Sequence, residues 1–220
     1  MPRISEEGKL RQNRGTGTGA DYLPWIKARE FNSKGTASTF ADYKHGREIQ
    51  VLSQGELYYY YLLRWQDDVV DIREQYPLVL ELTTAICKRE GIRHPNNGKT
   101  RMTTDFLVTK SDNTLEAYSI KNSKKDLENT RTLEKIYIEK LYWESFNVKF
   151  FIKYKEDVNF TLFQNIRDIV SCYDIKNVHN DFDVIRYKLA HKELIIDLEN
   201  TRIEYPKLKL LLESGDTNVK

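Results

Sequence analysis

The chain has 220 residues, 40% of them hydrophobic, and its 35 basic and 33 acidic residues leave a formal net charge of +2. That length suits one domain of ordinary size with a small addition. The balanced charge excludes recognition of nucleic acid by overall charge alone, so any DNA contact must come from a local patch. No apolar run approaches the length of a membrane span, and the isolated Cys87 and Cys172 favour a reduced cytoplasmic setting.

The first 20 residues are polar and basic and include the run Gly15-Thr-Gly-Thr-Gly19. These glycines resemble a phosphate-binding loop, but no predicted strand precedes them and no predicted helix follows, so that interpretation fails. We expect residues 1–20 to form either a flexible basic arm that folds on DNA or an ordinary disordered terminus. Aromatic residues around Pro24 should anchor this segment to the core.

A helix is predicted to open at Ser53-Gln-Gly-Glu56 and to run to Trp65. Glu56 follows Ser53 by three residues, which is the spacing of a capping box, where the glutamate bonds back to the start of the helix. A second interpretation makes Glu56 a metal-binding carboxylate on the helix that precedes the core sheet. The local spacing favours the cap.

Residues 69–78 show the alternation of a half-buried strand, in which Glu74 falls on the apolar side and is expected to be buried and paired. Residues 81–91 predict a short helix that ends at a glycine. The basic loop 92–101 leads into the next strand. Its His94 could meet phosphate or metal, although a lone histidine in a loop usually does neither.

Two stretches rich in β-branched and aromatic residues, joined by three turn formers, predict a β-hairpin with strands over 104–110 and 114–121. Asn113 at the end of the turn can adopt the left-handed backbone conformation, which would set the register so that Asp105 lies opposite Ser119. Lys121 follows two residues later and points to the same face. A carboxylate, a small polar side chain and a lysine then converge at the open end of the hairpin, unless the register slips by one residue.

These three side chains suit metal-assisted phosphodiester hydrolysis. A carboxylate binds Mg²⁺ through hard oxygen contacts, and the ion polarises the phosphate and lowers the pKa of an attacking water. A lysine stabilises the negative charge that builds in the transition state. Asp105 followed by the run Ser119-Ile-Lys121 matches a relaxed form of the nuclease signature PD-(D/E)xK. Alone the match is weak, because an aspartate and a lysine on strands are more often solvated surface residues.

Residues 127–146 predict a long amphipathic helix with Glu139 among its polar residues, and 148–154 predict a strand with aromatic alternation. The order strand, strand, helix, strand predicts an α/β fold of the restriction-endonuclease-like type over residues 21–156. Residues 157–220 predict a small, mainly helical C-terminal extension. It could be a reduced winged-helix-like unit, a docking module or a cap on the first domain.

About two thirds of the chain resembles the TnsA endonuclease subunit of heteromeric transposases. The matching segments follow in the expected order: 14–25 (RGTGTGADYLPW), 52–57 (LSQGEL), 71–78 (DIREQYPL), 91–95 (GIRHP), 102–108 (MTTDFLV), and 131–135 (RTLEK) with Tyr142-Trp143.

The resemblance implies a restriction-endonuclease-like catalytic domain that cuts the 5′ ends of a transposon. It implies that Glu56 and Asp105 bind Mg²⁺, for which Mn²⁺ would substitute, and that Lys121 is the catalytic lysine. Family members often have glutamine at the position of Ser119, whose shorter side chain would reach the metal through water or not at all. The backbone carbonyl of Ile120 would be a further ligand whatever its side chain.

The resemblance also implies partners: transposon-end DNA, an integrase-type companion transposase that cuts the 3′ ends, and an AAA+ ATPase regulator contacted through the C-terminal region. It implies a cytoplasmic bacterial protein that associates with the nucleoid when it acts. Two alternatives remain open. A stand-alone restriction or repair nuclease of the same fold would cut DNA without partners. A non-catalytic adaptor would keep the fold for binding only, against which Glu56, Asp105 and Lys121 argue.

Overall fold

The computed structural model describes residues 4–30 and 37–214. The chain divides into two compact units, the first comprising residues 1–41 and 47–157 and the second residues 42–46 and 158–220. The second unit therefore includes a short piece of the segment that the sequence prediction assigned to the first domain. No helix within the described residues has both the length and the apolar character needed to cross a membrane.

Strands of the first unit form two sheets. The strands are β1 (Ser38–Ala41), β2 (Glu48–Val51), β3 (Val69–Pro77), β4 (Thr103–Lys110), β5 (Leu115–Lys121) and β6 (Lys149–Tyr154). β1 and β2 make a small antiparallel pair. The main sheet has the order β3–β4–β5–β6, with antiparallel pairs except for the parallel pair of β5 and β6.

Four α-helices of the first unit are α1 (Glu6–Arg11), α2 (Gln54–Arg64), α3 (Leu80–Arg89) and α4 (Thr130–Ser145). Side chains of α2 and β2 pack on one face of the main sheet, around the buried Tyr60 and Phe106. Side chains of α3 and α4 pack on its other face, around Leu107, Tyr142 and Trp143. The first unit thus has helices on both faces of a mixed sheet, and the α/β prediction is confirmed.

The hairpin of β4 and β5 has the predicted register. The N–H of Lys110 donates to the carbonyl of Thr114 at 2.9 Å, and Asn113 closes the turn in the left-handed conformation with φ of +66°. The remaining pairs of the ladder continue that register, which places Asp105 opposite Ser119. Turn chemistry local to three residues therefore decides which side chains meet at the far end of the hairpin.

The described part of the predicted N-terminal arm is folded; its first three residues lie outside the described ranges. Arg14 is 3% exposed and forms a bidentate ion pair with Glu30, with both N–O distances at 2.7 Å. Gly15 has φ of +77° and packs so tightly that a Cβ atom would lie 2.2 Å from the ring of Pro77. The prediction of a flexible arm was wrong because these partners lie far away in sequence, where local composition gives no sign of them.

The second unit contains the helices α5 (Phe160–Ile169), α6 (Asp181–Ala190) and α7 (Tyr205–Glu213). A buried asparagine organises the extended segment between the last two. The amide of Asn165 donates to the carbonyls of Leu198 and Thr201 at 2.8 and 2.7 Å. Burying a polar amide is favourable only when it is hydrogen-bonded, so Asn165 fixes the course of this segment.

Candidate active site

Asp105 lies on β4 at the open end of the hairpin, with its side chain 19% exposed. Its Oδ2 accepts the backbone N–H of Ile120 at 2.6 Å. The same oxygen lies 4.0 Å from Nζ of Lys121. The structure therefore brings together the aspartate and the lysine that the sequence pattern singled out, as the register predicted.

The ammonium of Lys121 is held by its own strand. It donates to Oγ of Ser119 at 2.7 Å and to the carbonyl oxygen of Ile120 at 3.2 Å. Ser119 is fully buried, whereas the lysine side chain is 21% exposed. Two of the groups that the resemblance assigns to metal therefore accept hydrogen bonds from the lysine in this structure.

Glu56 stands in the first turn of α2 and is buried. Oγ of Ser53 accepts the N–H of Glu56 at 3.1 Å and donates to its Oε1 at 2.9 Å. The backbone N–H of Leu52 donates to Oε2 at 2.8 Å. This is a variant of the capping box in which the N–H of Leu52 replaces that of Ser53. The cap predicted from the local spacing is therefore present.

The same carboxylate of Glu56 also belongs to the cluster around Asp105, through Gln75. Nε2 of Gln75 donates to Oε2 of Glu56 at 3.1 Å and approaches Oδ1 of Asp105 at 3.5 Å. Its Oε1 accepts the hydroxyl of Thr103 at 3.1 Å. The cap and the cluster, which the sequence offered as two separate interpretations of Glu56, are thus compatible.

Sequence reasoning did not place Gln75 in this site. The alternation along β3 assigned it to the solvated face, yet Gln75 and the preceding Glu74 are both buried. Gln75 has φ of +48°, so the regular alternation along the strand ends at this residue. The charged Glu74 on the apolar side was the one sign in the sequence that the pattern fails at this point.

Electrostatics in the cluster favour an added positive charge. Burial raises the pKa of Glu56 to about 8, and the nearby negative charge of Asp105 acts in the same direction. Hydrogen bonds from Leu52, Ser53 and Gln75 oppose this rise. Two close carboxylates that resist joint ionisation are a suitable environment for a cation, which would stabilise both in the charged form.

Glu139 on α4 is another carboxyl group that sequence reasoning missed. It is 6% exposed, and its Oε2 accepts the hydroxyl of Thr104 at 3.3 Å. Burial raises its pKa to about 8, while the charge of Lys121 lowers it and that of Asp105 raises it. The sequence pattern counted Glu139 among the polar residues of the helix and gave no sign that it is buried. It is buried because Trp143, one turn later, donates its indole N–H to Thr104 at 2.8 Å and packs this side of α4 against the sheet.

The residues present fit a Mg²⁺ ion that keeps part of its water shell. Glu56 and Asp105 offer carboxylate oxygens, and Ile120 offers a carbonyl oxygen beside them. Mg²⁺ is usually bound through one or two carboxylates together with waters and substrate phosphates. Among the described residues no group of three or more His, Cys, Asp or Glu side chains is placed to enclose a metal ion. The donor set is therefore that of an open site.

Two other polar residues that the sequence singled out serve the fold. His94 is buried, with Nε2 3.0 Å from the hydroxyl of Thr83 and Nδ1 2.7 Å from the carbonyl oxygen of Pro95. Glu74 is buried and accepts two hydrogen bonds from Arg47, at 2.8 and 2.7 Å. The prediction that Glu74 is buried and paired is confirmed.

Comparison with known proteins gives two matches. The family model described as TnsA-like endonuclease N terminal matches residues 66–155, a range that contains Asp105 and Lys121 and begins after Glu56. The Transposon Tn7 transposition protein TnsA of Escherichia coli is 31% identical to this chain over 214 residues. That similarity covers 96% of this chain and 71% of the relative, so it extends over both compact units.

Proposed function

We propose that this chain, which belongs to the family of TnsA-like endonucleases, cleaves the 5′ ends of a transposon during cut-and-paste transposition. The members of that family are the endonuclease subunits of transposases. The observation that carries the proposal is the cluster of Glu56, Asp105 and Lys121, in which Gln75 links the two carboxylates and the ammonium of Lys121 lies 4.0 Å from Asp105. Two carboxylates beside a lysine suit metal-assisted hydrolysis of a phosphodiester, because the carboxylates can hold the ion and the lysine can stabilise the charge on the phosphate.

We further propose that the first unit is a restriction-endonuclease-like domain. In support, three antiparallel strands are followed by α4 and by β6, which returns parallel to β5. This order places Asp105 and Lys121 on neighbouring strands. Helices cover both faces of the sheet, while the side chains of Lys121 and Asp105 keep 21% and 19% of their surface exposed, which supports contact with a DNA strand there.

The proposed cofactor is Mg²⁺, with Mn²⁺ as a substitute, held by Glu56, Asp105 and the carbonyl of Ile120. When bound, the ion would polarise the scissile phosphate and lower the pKa of the attacking water. Lys121 would stabilise the negative charge that the phosphate gains in the transition state. The hydrogen bond from Lys121 to Ser119 fixes the direction of the ammonium for that purpose.

We propose transposon-end DNA, an integrase-type companion transposase and an AAA+ ATPase regulator as partners, in the bacterial cytoplasm at the nucleoid. The relative's name describes a transposition protein. Within the second unit, Leu210 and Leu212 on α7 are 67% and 38% exposed. Apolar side chains that remain exposed on a helix suit contact with another protein.

Cleavage of labelled end DNA tests the proposal. We expect the chain, assembled with the companion transposase and the ATPase, to cut the 5′ strand with Mg²⁺ or Mn²⁺ and not with Ca²⁺. With Asp105→Asn the assembly should lose this cut and keep the 3′ cut made by the companion. A 5′ cut that persists in the Asp105→Asn assembly would contradict the proposal.

The same assay separates the two alternatives. A stand-alone restriction or repair nuclease would make the cut without the other two proteins. A non-catalytic adaptor would leave the 5′ strand intact even in the full assembly, while the companion still cuts the 3′ strand. The retained cluster of Glu56, Asp105 and Lys121 favours the catalytic subunit over the adaptor.

A further inference from the structure

β3 contains a residue whose backbone departs from the extended conformation of a strand. Gln75 has φ of +48°, although Glu74 still pairs with Phe106 and Tyr76 with Thr104 across β4. A residue other than glycine is disfavoured in this region of backbone space. Such strain persists where the surrounding structure imposes it, and it is concentrated at functional sites.

Residues from the N-terminal segment fix the main chain at this point. The N–H of Trp25 donates to the carbonyl of Gln75 at 3.3 Å. The hydroxyl of Tyr22 donates to the carbonyl of Glu74 at 3.0 Å. Tyr22 and Trp25 are 1% and 2% exposed, and Arg47 holds the side chain of Glu74. The conformation of Gln75 is therefore imposed by contacts that are remote in sequence.

The unusual backbone delivers the side-chain amide of Gln75 to the two acidic residues of the cluster. Its Nε2 is 3.1 Å from Oε2 of Glu56 and 3.5 Å from Oδ1 of Asp105. The hydroxyl of Thr103 donates to Oε1 of the same amide at 3.1 Å. A flipped amide would aim its oxygen at both acidic groups, so the hydrogen-bond network requires the N–H groups to face them.

We propose that Gln75 is a positioning residue that holds Glu56 and Asp105 in place for the divalent cation, an inference that rests on the proposed metal-dependent function. Two neighbouring carboxylates repel each other and would otherwise separate. The amide donates toward an oxygen of each, which offsets the repulsion and keeps both groups converging before the ion arrives. Thr103 supports this role by fixing the orientation of the amide.

Three variants separate the amide from the backbone conformation. Gln75→Gly removes the amide but adopts the left-handed conformation readily. Thr103→Val removes only the hydroxyl that orients the amide, and Thr103→Ser is its matched control because it keeps that hydroxyl. Mn²⁺ binding to the full chain is titrated without DNA. The same titration on Asp105→Asn identifies the binding at the site, which is the part that this variant lacks. Thermal unfolding of each metal-free variant is measured alongside.

Outer-shell partners of metal ligands typically contribute about 10–100-fold in affinity. We expect the Kd of Gln75→Gly for Mn²⁺ to rise by a factor in that range, that of Thr103→Val to rise less, and that of Thr103→Ser to stay unchanged. The unfolding temperatures should stay close to that of the wild type. At saturating Mn²⁺ the cleavage rate of Gln75→Gly in the assembled transposase should recover, whereas a purely structural defect would lower the rate at every metal concentration.

Unchanged Mn²⁺ affinity in both Gln75→Gly and Thr103→Val would overturn the inference and leave the proposed metal site standing. If Gln75→Gly does not fold, the comparison of Thr103→Val with Thr103→Ser decides the matter alone, and equal affinities would overturn the inference. Absence of Mn²⁺ binding at the wild-type site would overturn the proposed metal-dependent function, and this inference with it.

Discussion

The ammonium of Lys121 donates a 2.7 Å hydrogen bond to the hydroxyl of Ser119, two residues earlier on β5. Ser119 is 1% exposed, so its hydroxyl is shielded from competing water. The resemblance assigned the position of Ser119 to a metal contact through a longer glutamine. In this chain the shorter serine binds the lysine, and the two side chains form a single unit within the site.

Ser119→Ala is expected to lower the rate of 5′ cleavage by about 10-fold, because it frees the ammonium of Lys121 to adopt other directions. The requirement for Mn²⁺ should stay unchanged, since no metal oxygen is removed. Single-turnover cleavage at a series of Mn²⁺ concentrations measures both quantities. A raised Mn²⁺ requirement at an unchanged maximal rate would instead make Ser119 a metal contact.

Glu56→Gln is expected to abolish 5′ cleavage and to leave the chain folded, because the amide keeps the shape of the side chain and loses its negative charge. Ser53→Ala is the matched control: it removes the cap hydroxyl, should lower the free energy of unfolding by about 1 kcal/mol, and should keep cleavage at saturating Mg²⁺. Both variants are compared by cleavage and by urea unfolding. Full cleavage by Glu56→Gln would reduce Glu56 to a helix cap.

Lys121→Ala is expected to lower the cleavage rate on the order of 10²-fold while DNA binding by the assembly changes little, because its contribution grows as charge builds on the phosphate. Lys124→Ala removes the same charge three residues later, from a side chain that is 66% exposed and paired with Asp157. That control should keep the rate. Equal losses of binding and rate in Lys121→Ala would show that the lysine only anchors a phosphate.

The half of the site that lies on the hairpin could be predicted from the sequence because its determinants are local. Asn113 takes the left-handed conformation that the turn requires, and this sets the pairing of β4 with β5. The strand period of two residues then carries the register from the turn to Asp105 and Lys121. Each step depends on residues within the same hairpin.

The other half of the site depends on contacts that local patterns do not contain. The left-handed backbone of Gln75 is held by Trp25, which lies 50 residues earlier in the chain. On α4, Leu133 and Tyr137 lie one turn apart among the apolar residues of the helix, yet they are 50% and 40% exposed. A helical period shows that a helix has an apolar side, but the partner surface decides which residues are buried, and Glu139 is among them.

Glu139 should make stability depend on pH. Its pKa rises on folding from an ordinary 4.5 to about 8, because burial disfavours the charged form. The folded state therefore binds this proton more tightly than the unfolded chain. The stabilising contribution is complete below about pH 4.5, declines as pH rises toward 8, and is lost above that value.

Glu139→Gln removes this titration and keeps an acceptor for the hydroxyl of Thr104. We expect the variant to match the wild type near pH 4.5 and to become the more stable protein as pH rises. The advantage should level off above about pH 8, at no more than about 5 kcal/mol. Urea unfolding of both proteins between pH 4.5 and 9 measures the difference, and a difference that is constant with pH would contradict the assignment.

Internal ion pairs reduce the positive charge that this chain offers to DNA. The guanidinium of Arg14 is buried against Glu30. Arg101 lies over the ring of Trp25 and pairs with Glu6 at 3.2 Å. Both arginines belong to basic stretches of the sequence, Arg14 to residues 1–20 and Arg101 to the loop 92–101. Affinity for DNA comes largely from neutralised phosphates and released counterions, so paired arginines add little to it.

The chain alone is therefore expected to bind transposon-end DNA weakly and not to cut it. A formal charge of +2 provides little long-range attraction. A partner that grips the transposon end would supply the missing affinity and present the 5′ strand to Glu56, Asp105 and Lys121. The test combines purified chain, labelled end DNA and Mg²⁺, with and without the companion transposase and the ATPase, at several salt concentrations. Weak, salt-sensitive binding without cleavage is expected for the chain alone, and 5′ cleavage for the full assembly. Efficient, site-specific cleavage by the chain alone would contradict the subunit assignment and favour a stand-alone nuclease.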